Sequence, residues 1–300
     1  MSLCYNETEP HNVTPSFNHN GTVAWEQGAA ATSLVFCSYF YVIMFLIRRV
    51  PAVKRWYSWP TKSRISSLAF LVLLQAITFW TSAAYGFDPP TANIEFCRVQ
   101  GMVYQFATSG IAMEVFAVSY AAFKTIVVGV SFAKFKEKYT VNLFVAVYVV
   151  AVVNTIVPYI AEQFSPTNAI VYGVIDKSSG YCWMNFRRNC AMVFVYFYYV
   201  LQILAHGCSI VLGFRICRTL CRLHGHLKKG ARRSIKVFIA RRMVILGVAA
   251  IYFIVSFTYA VMYWSGLERG NVGFVVLHNF CQPLVFIRSL IPLKILYLLL

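Results

Sequence analysis

The chain has 300 residues, of which 59% are hydrophobic and only 12% are charged, and its formal net charge is +17. Water-soluble domains carry about 25% charged residues, so the composition excludes an ordinary soluble domain, whose apolar surface would stay uncovered. The positive charge falls in clumps between apolar runs and forms no single basic face. This pattern argues against a nucleic-acid-binding protein. It is typical of a membrane protein whose loop charges set its topology.

Seven apolar runs along the chain are long enough to cross a bilayer, whose hydrocarbon core takes about 20 helical residues. No internal repeat, low-complexity tract or soluble domain lies between them. The sequence therefore predicts an all-α membrane protein whose seven-transmembrane helix bundle occupies residues 27–290. In chain order, the runs cover residues 27–47, 65–86, 98–123, 140–161, 190–214, 243–264 and 272–290.

Residues 1–26 form a polar amino-terminal tail with no apolar stretch. We therefore expect no cleavable secretory signal, and the first apolar run would itself insert the chain. Three N-glycosylation sequons begin at Asn6, Asn12 and Asn20, and three such triplets in one short tail indicate an extracellular tail. Residues 291–300 are expected to form a short cytoplasmic segment, and truncation of a longer protein is one expectation for that end.

Lysine and arginine are concentrated in three of the segments between the runs. The segment 48–64 holds six basic residues, 124–138 holds four and 215–242 holds ten. Cytoplasmic loops are enriched in these residues, so the asymmetry predicts an extracellular amino terminus in the plasma membrane. The basic residues expected to face a cytoplasmic partner are Lys124, Arg232, Arg233, Arg241, Arg242 and Arg288.

Two cysteines, Cys97 and Cys182, lie on the predicted outer side, at the mouth of the third run and in an outer loop. Disulfides persist in oxidising compartments, so we expect these two to be joined and to tether the loop over the bundle. Cys4 and Cys190 lie near the same side and stay alternative partners. The cysteines within apolar runs are expected to be small core residues, namely Cys37, Cys208 and Cys281.

Four short motifs carry a resemblance to a known family. Residues 97–106 read CRVQGMVYQF, 136–150 read KEKYTVNLFVAVYVV, 180–184 read GYCWM and 277–280 read LHNF. They resemble segments of the slime-mould cyclic AMP receptors and their fungal and protist relatives, which are G-protein-coupled receptors. The resemblance implies a cell-surface receptor that binds an extracellular ligand, a cyclic nucleotide or another small anion, and activates a heterotrimeric G protein. We expect no enzymatic activity, cofactor or metal.

The chain also departs from receptor patterns. No Asp-Arg-Tyr motif ends the third run, where the sequence reads SYAAFKTI, so the rhodopsin-like branch is disfavoured. The sixth run has no proline, which agrees with the cyclic AMP receptor group. The fifth run contains VFVYFYYVLQ and lacks a proline that this group often has. These departures bear on the ligand more than on the class of protein.

Polar and aromatic side chains in the outer half of the predicted bundle are candidate ligand contacts. Gln100 lies one turn below Cys97 and shares a helix face with Tyr104, whereas Gln105 points about 100° further round the helix. A buried amide needs a partner, so each glutamine is expected to meet another helix, water or a ligand. Arg98 would receive an anion or pair with a nearby carboxylate. The other candidates are Arg187, Trp183, Tyr196, Gln202, Tyr263 and His278.

Glu114 is the only acidic residue within the seven runs. Ionisable groups in a membrane interior are costly and are usually functional or paired. We expect His206 or Lys124 as its partner and treat Glu114 as a candidate switch residue, with a structural hydrogen bond as the alternative. An outer ligand and an inner G protein would then bias the same two-state bundle.

Other membrane-protein classes fit the sequence less well. A retinal protein needs a lysine midway along its last helix, and Lys294 lies too near the end. A seven-helix zinc hydrolase needs about three histidines at one metal, but only His206 and His278 lie in the runs. A transporter or channel is the main alternative, although no paired halves with interrupted helices are visible. Besides a ligand and a G protein, membrane lipids are expected partners, and self-association stays open.

Overall fold

The computed structural model of the protein describes residues 59–84, 94–164, 172–174, 182–184 and 189–224. It also describes eight single helical residues, at positions 31, 34, 35, 38, 250, 254, 257 and 258. This part of the chain is helical except for one two-stranded ribbon. Apart from the single positions, the first, sixth and seventh apolar runs and both chain ends lie outside the described residues.

Four helices follow four of the predicted runs, which confirms helices at these positions. They are α1 (Trp59–Ala84), α2 (Ile94–Ile126), α3 (Phe132–Gln163) and α4 (Asn189–His224). Their boundaries differ from the apolar runs because a helix continues into the polar water interface, where hydrophobicity no longer marks it. The first residues of the predicted basic loop 215–242 are therefore helical.

Three of the described helices contain a stretch that is long and apolar enough to cross a membrane. These stretches are Glu95–Ile126, Glu137–Gln163 and Val193–Leu223, whereas the apolar part of α1, Ser66–Thr78, is shorter. Bulky apolar side chains point outward from these helices, where lipid would cover them. They include Val141, Val145, Val149, Phe197 and Leu204.

The second helix is the centre of the described structure, because α1, α3, α4 and both strands pack on it. Small side chains make this close packing possible. A Cβ atom added to Gly110 would lie 2.8 Å from Cδ2 of Leu71 on α1, and Ala107 is completely buried. In membranes, close packing of this kind holds helices together, since the hydrophobic effect gives no drive between them.

A short turn joins α2 to α3 and makes them neighbours. Gly129 has a φ of +75°, a conformation that glycine adopts without strain. Ser131 then caps α3 by accepting a hydrogen bond from the backbone N–H of Lys134. The predicted inner loop 124–138 is therefore only a five-residue turn, 127–131, between two helices.

The ribbon consists of β1 (Tyr172–Val174) and β2 (Cys182–Met184), which pair antiparallel. The structure joins Cys182 to Cys97 of α2 in a disulfide, which is the predicted pair. Gly101, one turn along α2, lets the ribbon lie directly on the helix. A Cβ atom there would be 3.0 Å from a ring carbon of Tyr172 and 3.3 Å from Cα of Trp183.

Candidate functional site

The ribbon inserts a tryptophan into the bundle. Trp183 is only 2% exposed, and its indole N–H donates to Oε1 of Gln105 at 2.6 Å. The rings of Tyr104, Tyr198 and Tyr199 meet the indole edge to face, with centroid distances of 6.0, 5.0 and 6.2 Å. Aromatic pairs favour this arrangement. We call these five residues the Trp183 cage, and it brings together three predicted ligand candidates on α2 and β2.

Gln105 is incompletely satisfied inside this cage. Its side chain is completely buried, and its Nε2 has no hydrogen-bond partner among the described residues. A buried donor without an acceptor costs about 1–3 kcal/mol. A water or ligand that accepted a hydrogen bond from Nε2 would recover that free energy. The cage therefore favours the binding of a polar molecule.

A second cluster fastens the ribbon to α2 and α3. Arg98 forms an ion pair with Glu162, with Nη2 and Oε1 2.6 Å apart, and also pairs with Glu95 on its own helix. The second carboxylate oxygen of Glu162 accepts a hydrogen bond from the backbone N–H of Tyr172 at 3.1 Å. We call these four residues the Arg98 cluster. Of the two predicted roles for Arg98, the structure provides the carboxylate pair.

The side chain of Tyr172 adds a further link between the ribbon and α3. Its hydroxyl donates to the backbone carbonyl of Thr155 at 2.9 Å. Burial, reinforced by the negative charge of Glu162, raises the pKa of the Tyr172 phenol. The hydroxyl therefore stays a neutral donor throughout the physiological pH range.

Glu114 lies in a third cluster, further along α2. Its side chain is completely buried, and its carboxylate accepts from Nη1 of Arg64 at 3.0 Å and from Oγ of Ser67 at 2.7 Å. Ser67 also shares a 2.7 Å hydrogen bond with the hydroxyl of Tyr148, and Arg64 donates to the backbone carbonyl of Thr140. We call these five residues the Glu114 cluster, which joins α1, α2 and α3.

The predicted partners of Glu114 were wrong. Neither His206 nor Lys124 bonds to its carboxylate, and Nζ of Lys124 lies over the rings of Tyr120 and Tyr139, at 5.5 and 5.8 Å from their centroids. The true partner, Arg64, lies in the basic segment 48–64, outside the predicted membrane-spanning runs. Proline favours the first turn of a helix, so Pro60 was a signal that α1 begins before Arg64. A helical 64–67 segment would have placed Arg64 and Ser67 on one face.

Two other predicted amides connect helices. Nε2 of Gln100 donates to the backbone carbonyl of Thr78 on α1 at 2.6 Å. Nε2 of Gln202 on α4 donates to the backbone carbonyl of Thr108 on α2 at 3.2 Å. Gln100 therefore makes the helix contact that was one of its predicted roles, and Gln202, predicted only as a ligand contact, also connects two helices. Tyr196 is partly buried and packs against the same hydrophobic core as the cage.

Some features were missed or misjudged from the sequence. Gln75 on α1 is completely buried, and both polar atoms of its amide lack a partner among the described residues. It is a single amide within an apolar run, so the sequence marks it as a candidate buried polar residue as clearly as it marks Gln100. Cys208 was expected in the core but is exposed on the surface of α4, because it lies on the helix face that turns away from α2.

The other predicted site residues lie outside the described residues. These are the ligand candidates Arg187, Tyr263 and His278, the basic residues Arg232, Arg233, Arg241, Arg242 and Arg288, and the sequon residues Asn6, Asn12 and Asn20. Within the described ranges, no group of three or more His, Cys, Asp or Glu side chains is placed to hold a metal ion.

Comparison with family models and with curated proteins assigns no family to the chain. No protein-family model matches it, and no curated protein matches it either. The function is therefore inferred from the three clusters on α2 and from the sequence motifs.

Proposed function

We propose that this chain is a seven-helix receptor of the plasma membrane, with a glycosylated extracellular amino terminus, which binds a small ligand and activates a heterotrimeric G protein. The resemblance to the cyclic AMP receptors and their relatives belongs to this proposal. The observation that carries it is the Trp183 cage. A disulfide-bonded ribbon places a buried indole among side chains of α2 and α4, where a bound molecule would contact both helices.

The chemistry of the cage suggests what the ligand offers. Nε2 of Gln105 is a buried donor without a partner among the described residues, so a ligand group that accepts a hydrogen bond would be favoured. The surrounding tyrosine rings favour a flat or aromatic body. Arg98 gives little support for an anion at the ribbon, because two carboxylates already neutralise its charge.

The Glu114 cluster is our candidate for the element that changes state. It links three helices through a buried charge pair, and an arrangement of this kind has discrete bonded and broken forms. A ligand at the cage and a G protein at the cytoplasmic side would each favour one form of the bundle. A shift from mostly inactive to mostly active needs about 5.5 kcal/mol of differential binding.

The direct test is a ligand screen on cells that express the full chain, with nucleotide exchange on a G protein as the readout. The screen begins with cyclic nucleotides and continues to other small polar molecules. Once a ligand is found, Trp183→Phe should raise its half-maximal concentration about tenfold, because the indole N–H no longer holds Gln105 in place. Trp80→Phe is the matched control, because Trp80 is 47% exposed on α1 and should not change the response.

The main alternative is a transporter or channel. Purified chain in liposomes should then move a solute or an ion, with no effect on nucleotide exchange by any G protein. Flux without exchange would reject the receptor proposal. An equal effect of Trp183→Phe and Trp80→Phe would reject the Trp183 cage as the ligand site while leaving the receptor class intact.

A further inference from the structure

One face of α4 stays exposed for most of its length. Val193, Phe197, Val200, Leu204 and Val211 are all exposed, and they follow one another at intervals of three, four or seven residues. This spacing places them on a single stripe of the helix. Because the stripe is apolar and points away from α2, it is the side of α4 that lipid would cover.

Three arginines continue the same stripe toward the end of the helix. Arg215, Arg218 and Arg222 follow Val211 at intervals of four, three and four residues, and all three are exposed. The opposite face at this level is buried, as Ile216 shows with 2% exposure. The arginines therefore lie on the lipid side of α4. Among the described residues none of the three has a carboxylate partner.

The length of α4 fixes the depth of these arginines. The helix has 36 residues, which corresponds to about 54 Å, whereas the hydrocarbon core of a bilayer is about 30 Å thick. The apolar residues 193–214 suffice for that core, at about 33 Å. Arg215 then lies at its edge and Arg222 about 10 Å beyond it, where a long arginine side chain still reaches the phosphate layer.

We propose that Arg215, Arg218 and Arg222 form a binding site for the phosphates of anionic phospholipids in the leaflet at the carboxyl-terminal end of α4. A guanidinium group binds phosphate with two parallel hydrogen bonds and is always charged. Anionic lipid surfaces attract basic side chains that lie close to the membrane. Lipid is favoured over a protein partner because the arginines share the face of α4 whose exposed apolar side chains lipid would cover.

The main test measures lipid binding by the purified full chain, and this measurement needs neither a ligand nor a G protein. Native mass spectrometry in detergent would titrate the protein with phosphatidylserine and, separately, with phosphatidylcholine. The wild type should retain phosphatidylserine preferentially. Each arginine replaced by glutamine should weaken phosphatidylserine binding about fivefold, so that R215Q/R218Q/R222Q shows no preference.

Two variants serve as controls. R215K/R218K/R222K keeps the charges and should retain a reduced preference. Lys124→Gln removes a charge from the same end of the bundle, but Lys124 lies over tyrosine rings, so lipid binding should not change. Circular dichroism checks the fold of every variant. If the triple glutamine variant loses helicity, the single variants R218Q and R222Q are tested in its place.

Three results would overturn the proposal. The triple glutamine variant could keep the full preference for phosphatidylserine. Soluble glycerophosphoserine could compete as well as the lipid, which would make the stripe a general phosphate site. Alternatively, the variant could lose G-protein activation while its lipid binding is unchanged, which would assign the stripe to a protein partner.

Discussion

Three buried polar side chains of α2 show how single residues connect this bundle. Gln100 bonds to α1, Gln105 to the ribbon and Glu114 to α1 again. Each is buried where an unpaired polar group would be costly, so each hydrogen bond constrains how two elements meet. Gln75 is the exception, since neither polar atom of its amide has a partner among the described residues.

We expect Glu114→Gln to destabilise the protein by about 3 kcal/mol, because it leaves the guanidinium of Arg64, which is only 11% exposed, without a counter-charge. Thermal unfolding in detergent micelles measures the effect. The double variant R64Q/E114Q should recover part of the loss, since it removes both charges together. If the loss in the double variant equals the sum of the two single losses, Arg64 and Glu114 do not couple energetically. That result would contradict the 3.0 Å contact between them.

At the scale of elements, each strand of the ribbon has its own backbone or covalent tether, besides the side-chain hydrogen bonds of Tyr172 and Trp183. The disulfide fixes β2 to the start of α2, and Glu162 of α3 holds the backbone of β1. The two tethers lie on opposite strands, so release of one leaves the other in place. This arrangement explains how a ribbon of only three residues per strand stays in a defined position.

Removal of the disulfide with Cys97→Ser/Cys182→Ser should lower stability by about 2–4 kcal/mol. Hydrogen exchange at the backbone of β2 should rise because the strand loses its covalent link to α2 and keeps only the hydrogen bond from Trp183 to Gln105. Addition of Glu162→Gln should extend the fast exchange to β1, because Glu162 accepts from the backbone of Tyr172. Glu95→Gln should not, because the ion pair described for Glu95 is with Arg98 on its own helix. Equal exchange in both combinations would argue against the second tether.

The contact of the ribbon with α2 depends on the absence of a side chain at position 101. Gly101→Ala should destabilise the protein by about 1–3 kcal/mol, because its Cβ would approach the backbone of Trp183 and the ring of Tyr172. Denaturation in micelles measures the loss. Gly129→Asn is the control: nothing lies within 4 Å of a Cβ there, so only the strain of a positive φ remains, which asparagine tolerates better than most residues, and the loss should be smaller. A neutral Gly101→Ala would show that the ribbon can move aside.

At the scale of the whole molecule, charge and hydrophobicity separate along the chain. The described helices present apolar side chains outward, and basic residues gather at one predicted side of the membrane. The proposed topology follows from that separation, since basic loops stay in the cytoplasm.

The topology can be tested on intact cells. Asn6→Gln, Asn12→Gln and Asn20→Gln together should lower the apparent mass of the chain to that of the glycosidase-treated wild type. External protease should remove the amino-terminal tail and should cut the segment 225–242 only after permeabilisation. Cleavage of that segment in intact cells, with the tail protected, would reverse the proposed orientation.

The sequence by itself determined the helices at the second to fifth apolar runs, favoured Cys97 and Cys182 among the possible disulfide partners and marked Glu114 as a charge in an apolar run that needs a partner. These features follow from local hydrophobicity, from the compartment that each side of a membrane faces and from the cost of a buried charge. Only the tertiary structure decided that Arg64 neutralises Glu114, that Glu162 holds the ribbon and that Trp183 enters the bundle. Partners distant along the chain depend on how helices rotate and pack against one another, and hydrophobic patterns do not specify that packing.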